Sequence, residues 1–146
     1  MDEMLGRLAT WLRALGLDAT LLPAGCSRVE KRILARGCVF LTRSRDFKIG
    51  RTILIKSDDP ARQLEEAVEE LGLDPGRLKP LSRCLRCNVV LEEISPQEAK
   101  AIAPDYVVAT HKRFKRCPAC RRIFWPGTHH ERMSARLDDL LARPKG

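Results

Sequence analysis

Two cysteine pairs, Cys84-Leu-Arg-Cys87 and Cys117-Pro-Ala-Cys120, stand 29 residues apart in the second half of this chain, and they restrict its fold more than any other feature. Two residues between cysteines let one tight turn aim both sulfurs at a single tetrahedral ion, and the interval suits a small hairpin-bearing insert. A disulfide framework is not expected. The N-terminus places acidic residues first and spreads arginines through an amphipathic pattern, whereas a secretory signal needs a basic start and a continuous apolar region. A redox dithiol of the thioredoxin type needs one pair at a strand-to-helix junction, and here two pairs bracket short apolar runs. We therefore expect one structural zinc on Cys84, Cys87, Cys117 and Cys120. Four protein sulfurs leave no position for a substrate water, so such an ion organises the fold and does not catalyse. Asn88 and Arg121 follow the two pairs, where the knuckle favours a left-handed residue. Asn tolerates this, and Arg is expected to be strained.

The first half reads differently. Met4, Leu5, Leu8, Trp11, Leu12 and Leu15 form one helical face ended by Gly16. "ATLLP" reads as a short strand, "SRVEKRILARG" as a helix closed by Gly37, "CVFLT" as a buried strand opened by Cys38, and "RTILIK" as another strand. "DPARQLEEAVEELGL" is a third helix with Asp59 as N-cap and Pro60 at its first position. This alternation implies an α/β domain with a mostly parallel sheet covered by helices. Two prolines and two glycines in 71–81 mark a boundary. We expect an α/β domain over 1–78, then a zinc ribbon over 79–146 that ends in the amphipathic helix "ERMSARLDDLLAR".

The net charge of +8 divides unevenly, with 14 Lys and Arg against 12 Asp and Glu up to residue 80 and 13 against 7 beyond it. A basic second half suits phosphate-bearing partners, of which nucleic acid is the commonest. Arg83, Arg86, Lys112, Arg113, Lys115, Arg116, Arg121 and Arg122 are the candidate contacts, with Phe124 or Trp125 either stacking on a base or packing on the hairpin. His129 and His130 read as a helix-start pair. No apolar run approaches the roughly 18 residues of a membrane span, so no membrane partner and a cytoplasmic address are expected.

"VFLTRSRDF" (39–47) breaks from an apolar run into basic, hydroxyl and acidic residues, which marks it as the carboxyl end of a strand where functional side chains collect. Taken in order, "DEMLGRLATWLRALG", "VFLTR", "SDDPARQLEE", "SRCLRCN" and "CPACRRIFWPGTHHERM" resemble the Mut-seven C-terminal RNase domain family, a PIN-like nuclease fold fused to a zinc ribbon. The resemblance implies a metal-dependent ribonuclease whose acidic residues hold Mg or Mn at the carboxyl edge of a parallel sheet, with RNA as partner. Asp2 stands where the family places its first acidic residue. Arg28, with Glu30 nearby, occupies the position of the second. Where the family reads Thr-Arg-Asp, this chain has Thr42, Arg43 and Ser44, leaving Asp46 either as a substitute or as a turn cap. Asp58 follows the next strand. The family also has a strand before the first Asp, so either the start precedes Met1 or the sheet lacks a strand. The expected set is therefore Asp2, Asp46 and Asp58 for catalysis, with Arg7, Arg13, Arg43, Lys115 and Arg116 on RNA. The alternative is a noncatalytic RNA-binding protein that kept fold and ribbon.

Overall fold

The computed structural model describes Met1 and residues 5–22, 35–46 and 50–143. Asp2, Arg28, Glu30 and Cys26 lie outside these residues, as does most of the predicted second helix, of which only residues 35 and 36 are seen as helical. By proximity of Cα atoms the chain divides into two compact units, one comprising Met1–Leu12 and Ala19–Leu78, the other Arg13–Asp18 and Lys79–Pro144.

The first unit is α/β. Helix α1 (Gly6–Ala14) buries Leu8, Ala9 and Leu12, with Leu5 just before it, as the three- and four-residue spacing of its apolar positions requires. Strand β1 (Val39–Thr42) pairs in parallel with β2 (Arg51–Leu54), Val39 opposite Arg51 and Thr42 opposite Leu54. Three consecutive β1 residues, Phe40, Leu41 and Thr42, are buried, the mark of a strand covered on both faces. Of the strand expected over 19–23, residues 19–22 are described and show a bridge at Leu22, whose N–H donates to the Met1 carbonyl at 2.8 Å. Cys38, expected to open a buried strand, is exposed, and the strand begins one residue later.

Helix α2 (Pro60–Leu71) starts and stops where local chemistry dictates. The Asp59 carboxylate accepts from the Ala61 N–H at 2.8 Å, Pro60 supplies a preset φ, and Gly72 ends the helix in the left-handed conformation. It buries Leu64 and Ala67. Its polar face fixes the exit of β2: Glu66 accepts from the Lys56 and Ser57 amides at 2.8 and 3.0 Å, and buried Gln63 donates to the Ser57 carbonyl at 3.0 Å.

The second unit contains a three-stranded antiparallel sheet, β3 (Glu92–Ile94), β4 (Phe114–Arg116) and β5 (Ile123–Phe124), in that spatial order. Two short helices, α3 (Pro96–Lys100) and α4 (Asp105–Thr110), lie between β3 and β4 in sequence. Ala99, Val107 and Phe114 form its buried cluster, with Ile94, Ala103, Ile123 and Trp125 packed against them. Trp125 is thus the residue committed to packing, while Phe124 sits half-buried in β5 opposite Lys115. Helix α5 (Thr128–Ala142) carries His129 and His130 in its first turn and buries Met133 and Leu137 four residues apart. Among the described residues, no helix is long and apolar enough to cross a membrane.

Gly16 closes α1 at φ 89°, and a Cβ placed there would lie 2.3 Å from the Lys79 carbonyl oxygen. Both the left-handed backbone and this backbone neighbour forbid a side chain, so Gly16→Ala should lower stability by about 2 kcal/mol or more in urea unfolding.

Candidate metal centre and strand-edge site

The two cysteine pairs fold into matching knuckles. In the first, the Cys84 N–H donates to Val89 O and the Asn88 N–H to Cys84 O, both at 2.9 Å; in the second, Cys117 N–H donates to Arg122 O and Arg121 N–H to Cys117 O, again at 2.9 Å. Cys87 and Cys120 each turn their amide toward the sulfur of the first cysteine of the pair, at 3.4 and 3.5 Å. Each turn needs a left-handed residue at its end, and Asn88 at φ 61° and Arg121 at φ 64° supply it. The expectation from residue type therefore holds: Asn88 adopts αL readily, while Arg121 carries the steric cost of a Cβ there.

The knuckles bring the four sulfurs to one point. All lie within 4.8 Å of one another, with Cys84 and Cys117 buried and Cys87 and Cys120 half-buried. A tetrahedron with metal–sulfur arms of about 2.3 Å has edges of about 3.8 Å, and Cys84 Sγ and Cys120 Sγ stand 3.8 Å apart. Four cysteines in this arrangement can hold a metal such as zinc, and the unit is consistent with a zinc ribbon. The thiols also show what a cation would relieve. Burial raises the Cys84 thiol, while hydrogen bonding with Cys120 pushes Cys87 up to about 12. The Arg122 backbone N–H, against the opposing effect of desolvation, holds Cys120 down to about 7. Cys84 and Cys87 must therefore lose protons before both sulfurs can serve as ligands.

The other candidate site is the carboxyl edge of the β1–β2 pair. Because the strands are parallel, the loops after Thr42 and after Leu54 leave from the same edge. Thr42 is buried, and its Oγ1 accepts from the Ser44 N–H at 3.0 Å, which turns the chain out of the strand. That hydroxyl caps the turn; Asp46 is exposed beyond it. The loops meet through an ion pair between Arg43 and Asp58, in which the arginine is largely buried and the aspartate 87% exposed. Arg43 Nε is buried without a hydrogen-bond partner. Among the described residues no three carboxylates converge, and the four cysteines form the group of metal-ligating type. The described edge alone therefore carries too few anionic oxygens for a hard divalent ion.

The candidate RNA contacts divide. Arg116 is held by its cross-strand partner Glu92, with Nε and Nη2 both 2.9 Å from one carboxylate oxygen. Arg13 donates to the carbonyls of Leu85 and Arg86, and Arg43 is paired as above. Arg7 is exposed and Lys115 half-buried, while Arg86, Lys112, Arg113, Arg121 and Arg122 are exposed. Two residues escaped the sequence reading. Tyr106 is 71% exposed on α4, and Glu66 organises the β2 exit. An isolated tyrosine and one glutamate among four in a helix carry no local signal of either role.

A family model described as the Mut7-C RNase domain matches residues 1–137. Comparison with curated proteins and with solved structures finds no match.

Loading the cysteine centre with zinc at pH 7 should release protons into a weakly buffered solution, and apparent affinity should fall as pH is lowered, because Cys84 and Cys87 must each give up a proton. Pure metal adsorption elsewhere would release none. Arg121→Gly should stabilise the zinc-loaded protein by about 0.5–1 kcal/mol in chelator-free thermal unfolding, since glycine meets no steric cost at this φ.

Proposed function

Matched over residues 1–137, the chain belongs to the Mut7-C RNase domain family, and from that premise we propose that it is a metal-dependent ribonuclease of PIN-like type whose zinc ribbon binds RNA. The family match carries this reading, because it spans both the β1–β2 edge and the four-cysteine centre. In the proposed division of labour, residues 1–78 carry the nuclease edge and 79–146 the ribbon. Cysteines gathered for a metal suit a reducing compartment such as the cytoplasm.

At the edge, Asp46 and Asp58 stand on the two loops that parallel pairing brings together, and Asp2 is the further carboxylate this reading requires. A divalent Mg or Mn ion would supply Lewis acidity, activating water and offsetting charge on the scissile phosphate. Arg7 and Arg43 are the cations proposed to meet the RNA backbone there. On the ribbon, exposed Arg86, Arg121 and Arg122 flank the two knuckles, and we assign phosphate contact to them and to Lys115 ahead of Arg116, which Glu92 already holds. Tyr106 takes the stacking role that packing denies Trp125.

Two observations favour the noncatalytic alternative. Asp58 is neutralised by Arg43, and Ser44 offers a hydroxyl where the family's pattern has a carboxylate. The two readings separate on one variant. Ser44→Asp adds an anionic oxygen at the end of β1 and should raise manganese-dependent cleavage of single-stranded RNA in a gel assay, with Asp46→Asn abolishing it. If neither the natural chain nor Ser44→Asp cuts RNA while both bind it, the binding-module reading stands instead. RNA affinity should fall steeply with salt, and charge reversal at Arg121 and Arg122 should weaken it and flatten the salt slope by about 2. Unchanged affinity would remove the ribbon from the interface.

A further inference from the structure

The first knuckle is braced by a segment far away in sequence. Arg13, in the last turn of α1, extends Nη1 to the carbonyl oxygens of Leu85 and Arg86 at 2.9 and 3.2 Å. These are the two carbonyls inside Cys84-Leu-Arg-Cys87. Their identity matters because the peptides that own them also own the N–H groups of Arg86 and Cys87, of which the Cys87 N–H donates to Cys84 Sγ at 3.4 Å. A trans peptide directs its N–H and C=O oppositely. Holding the carbonyls on one side therefore fixes the N–H groups on the sulfur side.

Four further contacts make the brace specific to this turn. Asn88, the left-handed residue that ends it, donates from Nδ2 to Asp18 Oδ1 at 2.6 Å. Arg83, which precedes it, spans Gly16 O at 3.1 Å and Asn88 O at 2.7 Å. The Leu81 N–H also donates to Ala14 O at 2.7 Å. All of these residues belong to the second compact unit.

We infer that Arg13 is a positioning residue of the cysteine metal centre, orienting the Leu85–Arg86 and Arg86–Cys87 peptides beside the Cys84 sulfur, and is not an RNA contact. Its guanidinium also places a permanent positive charge beside a site that becomes doubly negative when four thiolates surround a divalent ion. Lysine keeps the charge but not the planar fork, and glutamine keeps neither. Removing such an outer-shell partner weakens metal binding by roughly 10–100-fold. Coupling is reciprocal, so zinc in turn orders the Arg13–Asp18 segment against the knuckle.

The inference rests on the cysteine centre being a zinc site, and the test separates the two ideas. With the full chain and zinc alone, affinity is measured by competition with a chromophoric chelator. Arg13→Gln should bind zinc roughly 10–100-fold more weakly than the natural chain, and Arg13→Lys should recover part of the loss. In the natural chain, stripping zinc should speed amide exchange at Leu81, whose N–H is bonded to Ala14 O. Arg13→Gln binding zinc as tightly as the natural chain overturns the inference. Should that variant fail to fold, unchanged Leu81 exchange on stripping the natural chain overturns it equally. A natural chain that binds no zinc overturns the zinc site itself.

Discussion

Four sulfurs converging within 4.8 Å are the constraint on which the second unit depends. Its buried apolar cluster is small, built on Ala99, Val107 and Phe114 with partly buried neighbours. Modules of this size rarely bury enough surface to fold by that means alone. Metal binding to such a centre contributes on the order of 10 kcal/mol in zinc-finger peptides, enough to offset a left-handed arginine and the desolvation of two buried thiols. The knuckles also set the sheet. Arg83 bridges Val90 across the first, and Arg116 pairs with Ile123 across the second, so each turn fixes the register of the strands that leave it.

Arg13 and Arg116 illustrate why a basic composition is a poor map of a nucleic-acid surface. Both are cations in an arginine-rich protein, yet one satisfies backbone carbonyls of a cysteine knuckle and the other a cross-strand carboxylate. Arginine does both because its planar donors reach acceptors in several directions. The exposed arginines at the knuckles, by contrast, follow the cysteines directly or stand between them in sequence, so the same turns that gather the thiols also distribute positive charge around them.

The β1–β2 edge has a different logic. Parallel pairing delivers two loops to one edge, and α2 secures one of them through Glu66 and Gln63. The Thr42 hydroxyl secures the other. Among the described residues these loops carry an arginine–aspartate pair, a serine and the exposed Asp46. Backbone hydrogen bonds thus fix where both loops leave the sheet.

Local chemistry made much of this protein legible in its sequence. The Asp59 cap, Pro60 start and Gly72 stop of α2, the amphipathic face of α1 and the left-handed residues after each CxxC all follow from interactions within a few positions of one another. The convergence of the cysteines was legible too, because two short turns of fixed spacing have few other uses. The fate of individual polar side chains was not. That Trp125 packs and Tyr106 is exposed, that Arg43 meets Asp58, that the Thr42 hydroxyl accepts from the Ser44 N–H, and that Arg13 reaches Leu85 depends on which segments fold beside one another. Spacing encodes a turn or a helix face because the backbone there has few choices; a guanidinium selects its acceptor only after tertiary packing has decided which carbonyls and carboxylates remain within its reach.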